Sequence, residues 1–159
     1  MADKKKLSLI VMSGDFDKAI AAFTLASGAA ALNYEVNLFF TFWGLDVVKK
    51  NQGRAFLGKG FLDRVFNFLL GGRKNLPLSR FNFAGISPVL MTSLMKSRNV
   101  ATLPELFEAS VALGVNFYIC EMAMHVLGLD RNDFIPEIKE ILGVAGFLEL
   151  SAGGQTLFL

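Results

Sequence analysis

Short apolar runs alternate with helical patterns at both ends of this chain. Residues Leu7 to Met12 and Tyr34 to Thr41 have the length and composition of buried strands. Between them, Asp15 to Leu32 combines apolar and small residues at helical spacing, after a turn at Ser13-Gly14-Asp15. A strand, a helix and a strand at this spacing predict a right-handed βαβ unit with parallel strands.

The alternation returns in the last third of the chain. Thr102 and Glu105 have the spacing of a capping box, which predicts a helix from Thr102 to Leu113. The elements predicted after it are a strand at 115–119, a helix at 121–127, a strand at 140–144, a helix at 145–152 and a strand at 156–159. About five strands alternating with helices predict an α/β fold, a three-layer α/β/α sandwich with a mainly parallel sheet. We expect one domain over residues 1–159.

The middle of the chain, about 53–99, interrupts this pattern with a basic, Phe-rich segment. Apolar residues recur at helical spacing from Phe61 to Leu70, and Pro88 at a first helical position predicts a second helix ending near Lys96. These patterns therefore predict that the segment is a helical insertion after the second strand.

Charge is distributed unevenly around this insertion. Residues 49–98 contain ten Lys/Arg and one acid, a net charge of +9, whereas the rest carries −7 and the whole chain +2. Three interpretations stay open: an oligomer interface with a basic rim, docking of an acidic partner protein, and shallow contact with anionic lipid at a membrane surface. Nucleic acid is not expected, because the aromatics are nearly all Phe at helical spacing and no binding motif is present.

Composition indicates how much of the chain is buried and where in the cell it is expected. The sequence has 159 residues, 53% of them hydrophobic, and a mean hydropathy of +0.46, so a sheet buried on both faces or further burial by subunits or a membrane is expected. The uncharged stretch 19–33 is shorter than the roughly 20 apolar residues of a spanning helix. The apolar run 7–12 is too short for a signal-peptide core. One cysteine allows no internal disulfide, and a cytoplasmic location is expected.

That cysteine, Cys120, lies between the apolar run 115–119 and the helical stretch 121–127. A strand-to-helix junction gathers unpaired backbone N–H groups and the positive end of the helix dipole, which favours thiolate over thiol. The carboxylate of Glu121 acts in the opposite direction. Strand ends are also where open α/β sheets present their functional groups. The pattern predicts a reactive thiol, and a small buried side chain is the alternative.

Three segments resemble the DsrE/DsrF-like family over essentially the whole chain. Residues 117–129 (FYICEMAMHVLGL) are similar to its cysteine motif, with a Met-rich turn and a glycine after the cysteine. Residues 39–45 (FFTFWGL) resemble the strand end of the DsrE-type subgroup that often accompanies rhodanese and TusA-type sulfur carriers. Residues 141–150 (ILGVAGFLEL) resemble the closing strand and helix.

The resemblance implies a DsrEFH-like fold and a sulfur carrier or sulfurtransferase that holds sulfane sulfur as a persulfide on Cys120. It also implies TusA-like or rhodanese-like donors or acceptors, and a homo-oligomer, a trimer or hexamer. Two departures stand out. Ala123 and His125 occupy positions where the family often has a serine and an aspartate, and no second cysteine is present, so a resolving thiol must come from a partner or another subunit.

Several further residues are candidates for a pocket around the thiol, each with ordinary packing as the alternative. They are Ser13, Gly14, Thr41, Trp43, Gly44, Met122 and Met124. His125 is a candidate base, but five residues of helix turn its side chain about 140° away from that of Cys120. Packing at the surface or at a subunit interface is the alternative for this histidine.

Two other functions compete with sulfur transfer. The first is a non-catalytic oligomeric interaction module, peripherally bound to a membrane through residues 53–98, with Cys120 merely buried. The second is a flavodoxin-like nucleotide binder, in which the backbone N–H groups of the Ser13 turn hold an anion. One Cys and one His do not support a zinc or iron site, and no cofactor is expected.

Overall fold

A computed structural model describes residues 4–159 and contains one five-stranded sheet. The strands are β1 (Lys6–Val11), β2 (Glu35–Phe40), β3 (Asn116–Cys120), β4 (Ile138–Leu142) and β5 (Gln155–Phe158). All neighbours pair in parallel, in the order β4-β3-β2-β1-β5. The predicted α/β class is confirmed, and all five carboxyl ends lie at the same edge of the sheet.

Helices cover both faces of this sheet. They are α1 (Phe16–Ala31), α2 (Phe61–Leu70), α3 (Ile86–Ser97), α4 (Leu103–Ala112), α5 (Glu121–Val126) and α6 (Val144–Ser151). Phe23 of α1 packs near Phe40 on one face, with ring centroids 6.4 Å apart. The next residue along β2, Phe39, stacks on Phe147 of α6 at 4.3 Å. Successive strand residues point to opposite faces, so both faces are buried, as the apolar runs predicted.

Most element boundaries agree with the sequence patterns, and two differ by two residues. β4 begins at Ile138 rather than at residue 140, because Ile138 is buried and pairs with Phe117 in an irregular part of the ladder. α3 begins at Ile86, which places Pro88 third in the helix rather than first. Proline fits anywhere in the first turn, where its missing N–H has no helical partner.

Side-chain hydrogen bonds cap the start of α4 but not that of α1, where Ser13 and Asp15 have the composition of a helix cap. Glu105 accepts hydrogen bonds from the backbone N–H of Thr102 at 2.7 Å and from its hydroxyl at 2.6 Å, as the capping-box spacing predicted. These bonds hold the pKa of Glu105 below its ordinary value. Before α1, the Ser13 hydroxyl donates to the Asp15 carboxylate, and neither side chain caps the helix.

The segment between β2 and α4 packs over the carboxyl edge of the sheet. A 3₁₀ helix (Phe42–Val48) follows β2 directly, and α2 and α3 come after it. Ser79, between α2 and α3, donates from its backbone N–H (2.9 Å) and hydroxyl (2.6 Å) to Asp17 in the first turn of α1. Within residues 4–159, no helix has the length and apolar character needed to cross a membrane.

Candidate functional site

Cys120 is the last residue of β3, and α5 begins at the next residue. It lies beside Leu142 in the parallel ladder with β4, so it stands at the carboxyl edge of the sheet. The side chain is 2% exposed and belongs to the hydrophobic core. The sequence predicted the strand-to-helix junction, and the structure adds that the cysteine there is buried.

The two methionines of α5 lie on opposite sides of the helix. Met124 is buried in the core beside the fully buried Ala123, whereas Met122 is exposed. The helix ends at Val126 and is capped by Leu127, and Gly128 follows with a φ of +65°, a backbone conformation that favours glycine. Met124 therefore packs in the interior near the strand end, and Met122 is accessible from outside.

His125 is exposed on α5, whereas Cys120 is buried. No hydrogen bond among residues 4–159 joins the imidazole to the thiol, which agrees with the divergence expected from helical geometry. The five-residue spacing thus predicted that the side chains of His125 and Cys120 point in different directions.

Thr41 and Gly44 hold the turn that follows β2. The Thr41 backbone N–H donates to the carbonyl of Val11 at 3.0 Å, and the Gly44 N–H donates to that of Met12 at 2.8 Å. Both residues are buried. These bonds fasten the end of β2 to the end of β1, the strand two positions from β3 in the sheet.

Three of the predicted pocket residues line one cavity of about 520 Å³ beside this turn. Ser13, Gly14 and Trp43 form part of its wall, with Asp46 and Arg54 among the other lining residues. Trp43 is 39% exposed and stacks on Phe66 of α2, with ring centroids 6.1 Å apart. This wall does not include Cys120, Met122, Met124, Thr41 or Gly44, so the cavity brings together three of the seven predicted pocket residues, without the thiol.

A buried polar cluster beside this cavity was missed from the sequence. Lys49 lies 2.6 Å from the Asp46 carboxylate and donates to the side-chain oxygen of Asn67 at 2.8 Å. The Asn67 amide donates in turn to the carbonyl of Leu127, at the end of α5, at 2.9 Å. Burial raises the pKa of Asp46, and the charge of Lys49 opposes this shift.

This cluster links the 3₁₀ helix, α2 and the end of α5, the helix that follows Cys120. The one sequence signal for this cluster was the pair Asp46 and Lys49, two opposite charges three residues apart in an apolar run. Across residues 4–159, no three His, Cys, Asp or Glu side chains converge in a metal-binding arrangement.

Comparison with known proteins agrees with this fold. The chain is 38% identical over 157 residues to the uncharacterized protein YrkE of Bacillus subtilis, covering 98% of this chain and 97% of the relative. It is 34% identical over 152 residues to the sulfur carrier protein DsrE2 of Allochromatium vinosum, covering 94% of each.

Two solved structures share the fold at low sequence identity. The protein MTH1491 of Methanobacterium thermoautotrophicum superposes with a TM-score of 0.55 and 10% identity, over 98% of this chain and all of that one. The ychN protein of E. coli gives 0.54 and 12%, over 97% of each. The sequence model of the DsrE/DsrF/DrsH-like family matches residues 3–158. With this match over nearly its whole length, the chain belongs to the DsrE/DsrF/DrsH-like family.

Proposed function

We propose that this protein carries sulfane sulfur as a persulfide on Cys120 and passes it to the thiol of a partner. The observation that carries the proposal is the position of the chain's one cysteine at the carboxyl end of β3. Membership of the DsrE/DsrF/DrsH-like family and 34% identity to a protein named as a sulfur carrier support a role in sulfur relay.

The chemistry is two successive exchanges at sulfur. The Cys120 thiolate attacks the sulfane sulfur of a donor persulfide, the donor's S–S bond breaks, and the donor leaves as a thiolate. An acceptor thiolate then attacks the outer sulfur of the Cys120 persulfide, and the Cys120 thiolate leaves. Each step forms one S–S bond and breaks one, so neither needs an external oxidant or reductant.

Burial of the thiol sets the conditions for both exchanges. A side chain that is 2% exposed is protected from solvent oxidants, but a donor reaches it only after local opening. We place this opening at the six-residue α5, which begins at the residue after Cys120. Once loaded, the persulfide extends the side chain by one S–S bond of about 2 Å.

We propose TusA-like or rhodanese-like proteins as donors or acceptors, and a homo-oligomer, a trimer or hexamer, as the functional form. Because the chain has one cysteine, the second thiol of each exchange belongs to the donor or acceptor. Exposed apolar side chains on α2 and α3 favour self-association, since such surfaces in proteins commonly mark interfaces.

A second candidate function is a non-catalytic interaction module that works through residues 53–98. Its support is the same exposed apolar surface, combined with the net charge of +9 over residues 49–98. The burial of Cys120 is compatible with it. Reactivity of the thiol separates the two functions, because only the sulfur carrier requires it.

Transfer is tested by loading the protein with isotopically labelled polysulfide, removing the donor, and adding glutathione as acceptor. We expect labelled glutathione persulfide to appear as the persulfide disappears from Cys120, and no transfer from Cys120→Ser. His125→Gln is the matched variant on the same helix, and its exposed position predicts a transfer rate close to that of the unmodified chain. Label that stays on the protein in the presence of glutathione would contradict passage of sulfur to a thiol.

A further inference from the structure

A larger cavity lies on the α1–α4 side of the sheet, away from the residues considered so far. Its volume is about 860 Å³, within the range of small-molecule sites. Neither Cys120 nor Trp43 lines it. Its apolar wall comes from the starts of α1, α3 and α4 and from the loop before β4, and includes Phe16, Pro88, Val89, Leu103, Phe107 and Ile135.

Cationic side chains outnumber acidic ones around this cavity. Lys50, Arg73, Lys74 and Lys96 line it, against Glu108 and Glu137. Over residues 4–159, the ion pair within 4 Å is the one between Lys49 and Asp46, outside this cavity, so none of these four cations has a carboxylate at that distance. Unpaired cations beside an apolar wall suit a ligand with an anionic group and an apolar body.

Arg73 places a positive charge directly against the apolar wall of the cavity. Its guanidinium carbon lies 3.8 Å from the centroid of the Phe107 ring, a stacking arrangement that fixes the group in place. Its Nη1 atom is buried and forms no hydrogen bond to any group in residues 4–159. Burial lowers the pKa of Arg73, and the charges of Glu137 and Glu108 act against this shift.

Arg73 lines the cavity and has no carboxylate within 4 Å among residues 4–159, so an anion bound there would offset its charge and accept hydrogen bonds from its guanidinium group. We propose that this cavity binds a small amphipathic anion, with a carboxylate, sulfonate or phosphate on Arg73 and an apolar chain or ring against Phe107 and Leu103. The site is independent of Cys120 and of the sulfur-relay proposal.

Decanoate, used below its micellar concentration, is the probe, and calorimetry measures its dissociation constant. Arg73→Met keeps much of the side-chain volume without the charge, and we expect it to weaken decanoate binding by roughly tenfold or more. Arg80→Met is the matched control, because Arg80 carries the same charge on the same segment, is exposed, and does not line the cavity. We expect this control to bind decanoate as the unmodified protein does.

Two further arms keep the test decisive if Arg73→Met fails to fold. Ser93 is exposed and lines the cavity, so Ser93→Trp is expected to place a large side chain in it and weaken binding without disturbing the core. Decanol supplies the apolar chain without the charge and is expected to bind at least about tenfold more weakly. The proposal is overturned if decanoate does not bind, if decanol binds as tightly, or if the cavity variants bind like Arg80→Met.

Discussion

At the scale of single residues, Gly44 fixes the turn after β2. Its backbone N–H donates to the carbonyls of Met12 at 2.8 Å and Thr41 at 2.9 Å. A Cβ atom at this position would overlap the carbonyl oxygen of Val11, at the end of β1. Glycine is required here because two backbone segments approach each other closely, which no other residue permits.

We predict that Gly44→Ala lowers the free energy of unfolding by about 1–3 kcal/mol, because the added methyl group has no space and the turn must shift. Urea unfolding followed by circular dichroism measures it. Gly28→Ala in α1 is the control, because a Cβ there meets no atom within 4 Å and alanine is the better helix former by about 1 kcal/mol. Equal effects of the two substitutions would contradict this account of Gly44.

Only part of the candidate site could be predicted from the sequence. Turn composition and the common edge of a parallel sheet indicated Ser13, Gly14 and Trp43 as pocket residues, and these three line one cavity that Cys120 does not line. Apolar periodicity does not say which backbone groups approach one another, so it could not show that Thr41 and Gly44 hold a turn. Their hydrogen bonds join segments about 30 residues apart in the chain.

At the scale of elements, the Lys49–Asp46 pair and Asn67 connect the 3₁₀ helix, α2 and the end of α5. Lys49 and Asp46 are both almost fully buried, and Lys49 also donates to the carbonyl of Gly71 at 3.2 Å. Apolar spacing predicted α2, and a capping box predicted the start of α4. Neither pattern contains a contact between Asn67 and Leu127, which are 60 residues apart.

Removing one partner of a buried ion pair leaves the other charge uncompensated. We therefore predict that Lys49→Met lowers the free energy of unfolding by about 3–5 kcal/mol. The double variant Lys49→Met/Asp46→Leu should regain a large part of this loss, since no buried charge then remains. A double-mutant cycle in urea measures the coupling, and a double variant with the summed loss of the two single ones would contradict it.

At the scale of the whole molecule, α2 and α3 each expose large apolar side chains that no element within residues 4–159 covers. They include Phe61, Leu62, Phe66, Leu69, Ile86, Val89, Leu90 and Leu94. Monomeric proteins rarely expose so many large apolar side chains, so an interface is the expected use.

Phe61 and Leu62 are 80% and 78% exposed in the first turn of α2, where an acidic side chain favours the helix. We predict that Phe61→Glu/Leu62→Glu leaves the fold intact and dissociates the proposed homo-oligomer into monomers, as measured by sedimentation velocity. Leu32→Glu, at a residue 74% exposed beyond the end of α1, is the control. An unchanged oligomer, with binding to anionic lipid vesicles lost instead, would favour the interaction module over this interface.

The α/β architecture was predictable because the strands and helices of a βαβ unit each have a recognisable pattern of apolar residues in the sequence. Runs such as Leu7 to Met12 and Val115 to Ile119 are apolar except for one polar residue each, which is typical of parallel strands buried on both faces. The burial of Cys120 was not predictable in the same way. It depends on tertiary packing around the end of β3, which the periodicity of a single element does not contain.

The most direct test of sulfur carriage is intact-protein mass spectrometry after the reduced protein is incubated with polysulfide, beside Cys120→Ser. The account predicts a gain of one sulfur atom, about 32 Da, which dithiothreitol removes and Cys120→Ser lacks. The contradicting result is an unmodified protein whose Cys120 also resists a small alkylating reagent until the chain is denatured. Such a thiol would be a buried packing residue, and the sulfur-carrier proposal would give way to the interaction module.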